Sequence, residues 1–190
     1  PELVDLKSES QATLDMYGPE VQKPGTFAAS ALLARRLVER GTRVVQVLHR
    51  GWDQHGNLPS DIRLQCRDTD QPIGALLTDL KQRGLLDSTL VIWGGEFGRT
   101  PFSQGADGRD HNPRGFTVFL TGGGVKSGLS WGSTDEIGHL AVDGKIHMHD
   151  LHATLLYLLG LDHERLTYRY AGRDFRPTDI YGRIVHDIIS

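Results

Sequence analysis

Leu90-Val91-Ile92-Trp93-Gly94-Gly95-Glu96-Phe97-Gly98-Arg99-Thr100-Pro101 (LVIWGGEFGRTP) is the stretch on which the fold reading turns. Its apolar, β-branched start closed by two glycines reads as a buried strand entering a loop. Open α/β sheets bind ligands outside the carboxyl ends of their strands. Glu96 and Arg99 therefore stand where such folds place their chemistry.

Upstream, Thr26 to Arg40 has the spacing of an amphipathic helix, with Ala28, Leu32, Leu33 and Leu37 on one side. Arg35, Arg36, Glu39 and Arg40 read as its solvated face, and Gly41 as its stop. Thr42 to Leu48 (TRVVQVL) reads as a strand running into a Gly-bounded polar loop, His49 to Asn57. Leu58 to Asp68 reads as a connector, and Thr69 to Arg83 as a second helix with Ile73, Leu76, Leu77 and Leu80 inward. Helix, strand, helix, strand with short connections predicts an α/β fold, a three-layer α/β/α sandwich on a mainly parallel sheet.

Downstream, Phe102 to Arg114 is too rich in Gly, Asp, Asn and Pro to be regular, and Gly115 to Thr121 reads as a third strand. Asp143-Gly144 suggests a hairpin turn into Lys145 to Met148. Asp150 to Gly160 has the strongest helical pattern, with Asp150 as N-cap and Leu151, Leu155, Leu158 and Leu159 as its buried stripe. The first two dozen residues read as a peripheral segment with a short helix near Ser8 to Tyr17.

The chain has 190 residues, enough for one domain, 1–190, with a sizeable core. A net charge of -3 and the lack of a Lys/Arg-rich run give no electrostatic case for nucleic acid. Cys66 is the single cysteine, so no internal disulfide forms. No apolar run is long enough to span a bilayer. The nine histidines, several beside Asp or Glu, are the compositional hint of a metal.

Four clusters can carry chemistry. Asp53-x-His55 combines a hard carboxylate with an imidazole, a set suited to Zn, Mn or Fe, or is a polar loop bonded to itself. Glu96 is a ligand, a base or a cap; Arg99 is an oxyanion fork or its salt-bridge partner. In Gly108-Arg109-Asp110-His111-Asn112-Pro113, His111 is the candidate ligand, with Asp110 a further ligand or its support. His147-x-His149-Asp150-x-His152 reads as a ligand pair or, preferably, as helix capping. No Gly-x-Ser-x-Gly elbow, P-loop or Gly-x-Gly-x-x-Gly is present.

Four stretches together carry a family resemblance: GWDQHGN, DLKQRGLLDSTLVIWGGEFGRTP, GRDHNPRGFTVFLTGGGVKSG and HDLHATLLYLLGLDHERL. They resemble the DUF1501 family of bacterial proteins, placed in the alkaline phosphatase-like superfamily with sulfatases and phosphoglycerate mutases. The resemblance implies a parallel α/β/α sandwich and one or two divalent ions, Zn or Mn. It implies Asp53, His55 and His111 at one ion and Glu96 at the other, with Asp110 completing the second. Arg99 and Arg109 would hold the oxyanion of a small anionic ester. Phe97 stands where the superfamily has a ligand His, which puts the second ion in doubt. The chain looks like the C-terminal part of a longer member, with the Ser or Thr nucleophile upstream and export to the periplasm or beyond a family-level expectation. The resulting expectation is a metal-dependent phosphate or sulfate ester hydrolase domain with little turnover of its own. The alternatives are a non-catalytic binding or scaffold protein, and mutase or isomerase chemistry.

Overall fold

The first half of the chain is helical, and a pair of adjacent arginines organises it. The computed structural model describes residues 2–190. Its contacts divide the chain into two units, Pro1–Thr89 with Arg99–His111, and Leu90–Gly98 with Asn112–Ser190. The first unit holds α1 (Gln11–Tyr17), α2 (Phe27–Glu39) and α3 (Leu58–Gln82). Ser10 and Thr26 cap the first two, their hydroxyls accepting from Thr13 N–H and Ala29 N–H. Leu14, Tyr17, Val21, Ala28, Ala31, Leu32 and Ala75 form the apolar core between these helices.

Arg35 and Arg36 are each 1% exposed, so they are not a solvated face. The reason is that α2 is covered by α1, by α3 and by the chain's first residues. The Arg35 guanidinium donates to Asp79 on α3 and to Glu39, both at 2.8 Å, and to Glu9 at 2.5 Å. Arg36 donates to Glu9, to Ser8 and to the carbonyls of Glu2 and Asp5. Asp79 also accepts from Arg83 at 2.7 Å and from the Tyr17 hydroxyl at 3.2 Å. Burial, and then the Asp79 carboxylate, push the Tyr17 hydroxyl well above its ordinary range.

The parallel three-layer sandwich is not what forms. Each sheet has two strands. Leu90–Trp93 is a strand, β1, but it pairs antiparallel with β4 (Phe119–Gly122), in the register Leu90↔Gly122 to Trp93↔Phe119. A parallel pair needs a long crossover, usually a helix. Residues 94–118 contain only turns and the two-residue strands β2 (Gly98–Arg99) and β3 (His111–Asn112), so β4 returns beside β1 instead. Thr42 to Leu48 forms no strand at all. Its extended backbone half-buries Val45 and Val47 but leaves Val44 and Leu48 77% and 82% exposed.

Other boundaries move for local reasons. The expected connector Leu58 to Asp68 is the first part of α3, a 25-residue helix that starts with Pro59 in its first turn. Asp143-Gly144 makes no hairpin into Lys145; β6 (Ala141–Asp143) pairs with β5 (Ser133–Thr134) before it. The last helix, α4 (Met148–Leu158), begins earlier than expected because His147 is its N-cap. Asp150 sits three residues on and closes a capping box by accepting from His147 N–H. Ala153 and Thr154 are its buried residues, while the leucines are only half-buried and Leu159 is exposed. β7 (Tyr168–Tyr170) and β8 (Arg173–Phe175) form a terminal antiparallel ladder.

Replacing Arg35 by Ala leaves the buried Asp79 and Glu9 carboxylates short of their shared cation. Breaking one partner of such a network costs about 3–5 kcal/mol. Urea unfolding monitored by far-ultraviolet circular dichroism should show a loss of that size, against less than about 1 kcal/mol for the exposed Lys23→Ala.

Candidate metal centre

Asp53 and His55 lie on the irregular segment that leads into α3, with Gln54 between them. A tight turn, in which His55 N–H donates to Asp53 O at 3.2 Å, leaves both exposed while Gln54 is buried, 7% exposed. Asn57 then takes a left-handed conformation, φ 54°, and α3 begins. The second piece of the site is the tight loop Gln104 to Gly108. Its ends exchange backbone hydrogen bonds, Gln104 N–H to Gly108 O at 2.9 Å and the reverse at 3.1 Å.

This loop is stitched to the first segment. Arg109 N–H donates to Gln54 O at 3.0 Å, and Asn57 N–H to the Asp107 carboxylate at 3.0 Å. Gly108 passes so close to His55 that an added Cβ would stand 1.9 Å from the His55 carbonyl oxygen. Only glycine fits there. The close approach sets His111, three residues on, against Asp53.

Asp53, His55 and His111 present ligand atoms that all lie within 4.8 Å of one another. His55 Nε2 is 2.9 Å and His111 Nε2 3.1 Å from Asp53 Oδ1, and the two Nε2 atoms are 3.1 Å apart. His55 Nδ1 is 2.6 Å from Gln104 Oε1, an acceptor only, so Nδ1 carries the proton. In the neutral ring the Nε2 lone pair then faces Asp53 Oδ1 and His111. Lone pairs at this spacing repel unless a positive centre, a proton or a metal ion, lies among them.

Hydrogen bonding from His111, then from Arg99, holds the Asp53 carboxyl down at about 2. The carboxylate is thus ionised at any physiological pH. The Arg99 guanidinium donates to the same Oδ1 at 2.9 Å.

One carboxylate and two imidazoles are a hard and borderline donor set that suits zinc or manganese. Tetrahedral zinc with bonds of about 2.0–2.1 Å has ligands about 3.3 Å apart. The observed separations of 2.9 to 3.1 Å form one face of such a figure with little adjustment. The side chains are exposed, 40% to 68%, which leaves the opposite face open to a small molecule. Gln104, behind His55, orients its ring as outer partners of metal-bound histidines do.

The remaining sequence candidates are placed differently. The Asp110 carboxylate accepts from His111 N–H at 2.8 Å, and Asp110's backbone pairs with Thr100, so it steadies the chain at His111. Arg109 donates to Gly108 O at 2.8 Å and to the Ser103 hydroxyl at 3.4 Å. Glu96 belongs to the second unit, at an exposed bend after β1. Sequence reasoning missed Gln104, Asp107 and Gly108. Glutamine has no motif of its own, and the Gly-Ala-Asp-Gly run announces a turn without saying what the turn touches.

A family model described as "Protein of unknown function (DUF1501)" matches residues 1–189. No curated protein and no solved structure matches the chain.

Gly108→Ala forces the new methyl against the His55 carbonyl and separates the two loops. Denaturant unfolding should show a loss of about 1–3 kcal/mol. The His55 and His111 imidazole resonances should shift, whereas Gly74→Ala, at an open position within α3, should leave those resonances in place.

Proposed function

The chain belongs to the DUF1501 family, and we propose that it is a metal-dependent hydrolase domain acting on phosphate or sulfate esters. The convergence of Asp53, His55 and His111 carries this reading. The likeness of its motifs to the alkaline phosphatase-like superfamily contributes the class of chemistry, not the fold. Asp53 Oδ1, His55 Nε2 and His111 Nε2 would hold one divalent ion. Bound there, the ion supplies Lewis-acid polarisation of an ester oxygen.

The chain's own residues do the rest. Gln104 keeps the proton on His55 Nδ1 and so keeps Nε2 available. Arg99, already at Asp53, offers a planar fork to the non-bridging oxygens of the ester. Arg109 is tied to its own loop and stiffens it, with its guanidinium a second oxyanion contact if that loop bond is released. No hydroxyl of this chain is assigned as nucleophile. Asp110 steadies His111, and Glu96 belongs to the second unit, so neither is assigned to this ion.

Equilibrium dialysis against zinc and manganese, read by elemental analysis, tests the site. The wild type should retain one equivalent; Asp53→Ala or His111→Ala should lower affinity by at least about 100-fold. Gln104→Leu should lower it about 10–100-fold. If neither ligand substitution changes bound metal, the reading fails. A panel of aryl phosphates and sulfates then separates hydrolase from binding protein: metal retention without metal-dependent release of either product selects the non-catalytic alternative.

The pH dependence has a definite sign. Metal ligands must be deprotonated, so affinity falls as pH falls and protons compete with the ion for the site. Asp53, held down at about 2, adds nothing to that fall until far lower pH. Metal retention measured from pH 8 to pH 4 should therefore decline with a slope of about two protons per ion, not three.

A further inference from the structure

In the second unit, the start of α4 and the segment Ile180 to Arg183 flank an open pocket of about 500 Å³. His147, Asp150, Ile180, Tyr181, Gly182 and Arg183 line it. The pocket is built by specific contacts. Asp150 accepts from His147 N–H at 3.0 Å and from Arg183 N–H at 2.8 Å, pinning the two segments together. Gly182, φ 101°, lets the second segment pass the His149 carbonyl and Ala153, where a Cβ would stand within 3.2 Å of each. Three rings stack along one side: His147 on His149 at 5.0 Å and 21°, and His149 on Tyr181 at 5.4 Å and 27°.

The polar lining pairs one carboxylate, Asp150, whose two oxygens are both engaged, with the donors of His147 and Arg183. His147 Nδ1 accepts from His149 N–H at 3.2 Å, so in the neutral ring the proton is on Nε2. That assignment argues against a metal here, because ligation through Nε2 would move the proton to Nδ1 and break the helix cap. Both Asp150 oxygens are already used, and the first-turn amides of His149, Asp150 and Leu151 are taken by His147, so the helix end itself offers little. What remains is the Arg183 guanidinium, which makes a 3.5 Å contact to Lys145 O, and the His147 Nε2–H edge. Beside them lie Ile180 and the Tyr181 ring, 65% and 58% exposed.

Donors at one side and an apolar, planar wall at the other define a complementary ligand. We propose that this pocket binds a small planar organic anion, its oxyanion on Arg183 and His147 and its body against Ile180 and Tyr181. All of its lining residues belong to the second unit. A bidentate guanidinium contact gives the oxyanion its selectivity over a neutral group of the same shape.

The test is an NMR titration of the whole chain, with chelator present, using benzoate, phenylphosphonate and their neutral isostere benzamide. Benzoate or phenylphosphonate should move the His147, His149 and Tyr181 resonances saturably, and benzamide should bind at least about tenfold more weakly. Arg183→Gln, which keeps the main-chain bond to Asp150, should weaken the anions about tenfold and leave benzamide unchanged. Whichever anion binds tighter names the oxyanion. Equal binding of benzamide and benzoate by the wild type overturns the proposal without recourse to any variant. So does an unaltered anion affinity in Arg183→Gln, or saturable shifts confined to residues outside the pocket.

Discussion

The buried guanidinium of Arg35 is the interaction on which the first unit depends. It joins α2 to α3 through Asp79 and to the chain's beginning through Glu9. Buried charges persist only where they are paired and hydrogen-bonded, and here Arg36, Arg83, Glu39 and Tyr17 extend the network, with Arg36 Nε its one buried donor left without a hydrogen-bond partner among the described residues. The network grips α3 near its carboxyl end. The other end of α3 begins just after His55. The helix that the arginines hold in place is therefore the one from which the Asp53-Gln54-His55 segment hangs, and the loop bearing Gln104 and Gly108 is docked onto that segment.

Much of this was legible in the residues, and what was not has identifiable causes. The helices around Phe27 to Glu39 and Met148 to Leu158 follow from apolar spacing, and Asp53, His55 and His111 stand out because carboxylate and imidazole cluster in Gly-bounded loops. The sheet is where pattern reading failed. Val44, Val45 and Val47 have the composition of a strand, but a strand exists only through a partner's hydrogen bonds, and composition does not name partners. Leu90–Trp93 was read correctly as a strand and wrongly as parallel, since its direction depends on a connection that holds no helix. Arg35 and Arg36 misled for a related reason: charge on a helix marks solvent only when nothing of opposite charge packs over it.

The candidate centre illustrates the same division. Its ligands are residue types that announce themselves, whereas its geometry is made by residues that do not. Gln104 acts by accepting one hydrogen bond, and Gly108 by lacking a side chain. Neither property is visible until two segments about fifty positions apart are seen in contact. Supporting residues of this kind determine whether three ligand atoms meet at 3 Å or merely lie in the same region.

The left-handed Asn57 has a consequence for helix propagation. A helix of 25 residues is long, and elongation by one more residue is favourable once a nucleus exists. Were α3 to grow backwards by five residues, Asp53 and His55 would become positions i and i+2 of a helix, and such positions do not face one another. Asn57, with its backbone turned to φ 54° and its amide held by Asp107, is a barrier to that growth. The boundary between coil and helix is thus itself a functional coordinate of the molecule: shifting it by five residues would dissolve the constellation without altering any of its members.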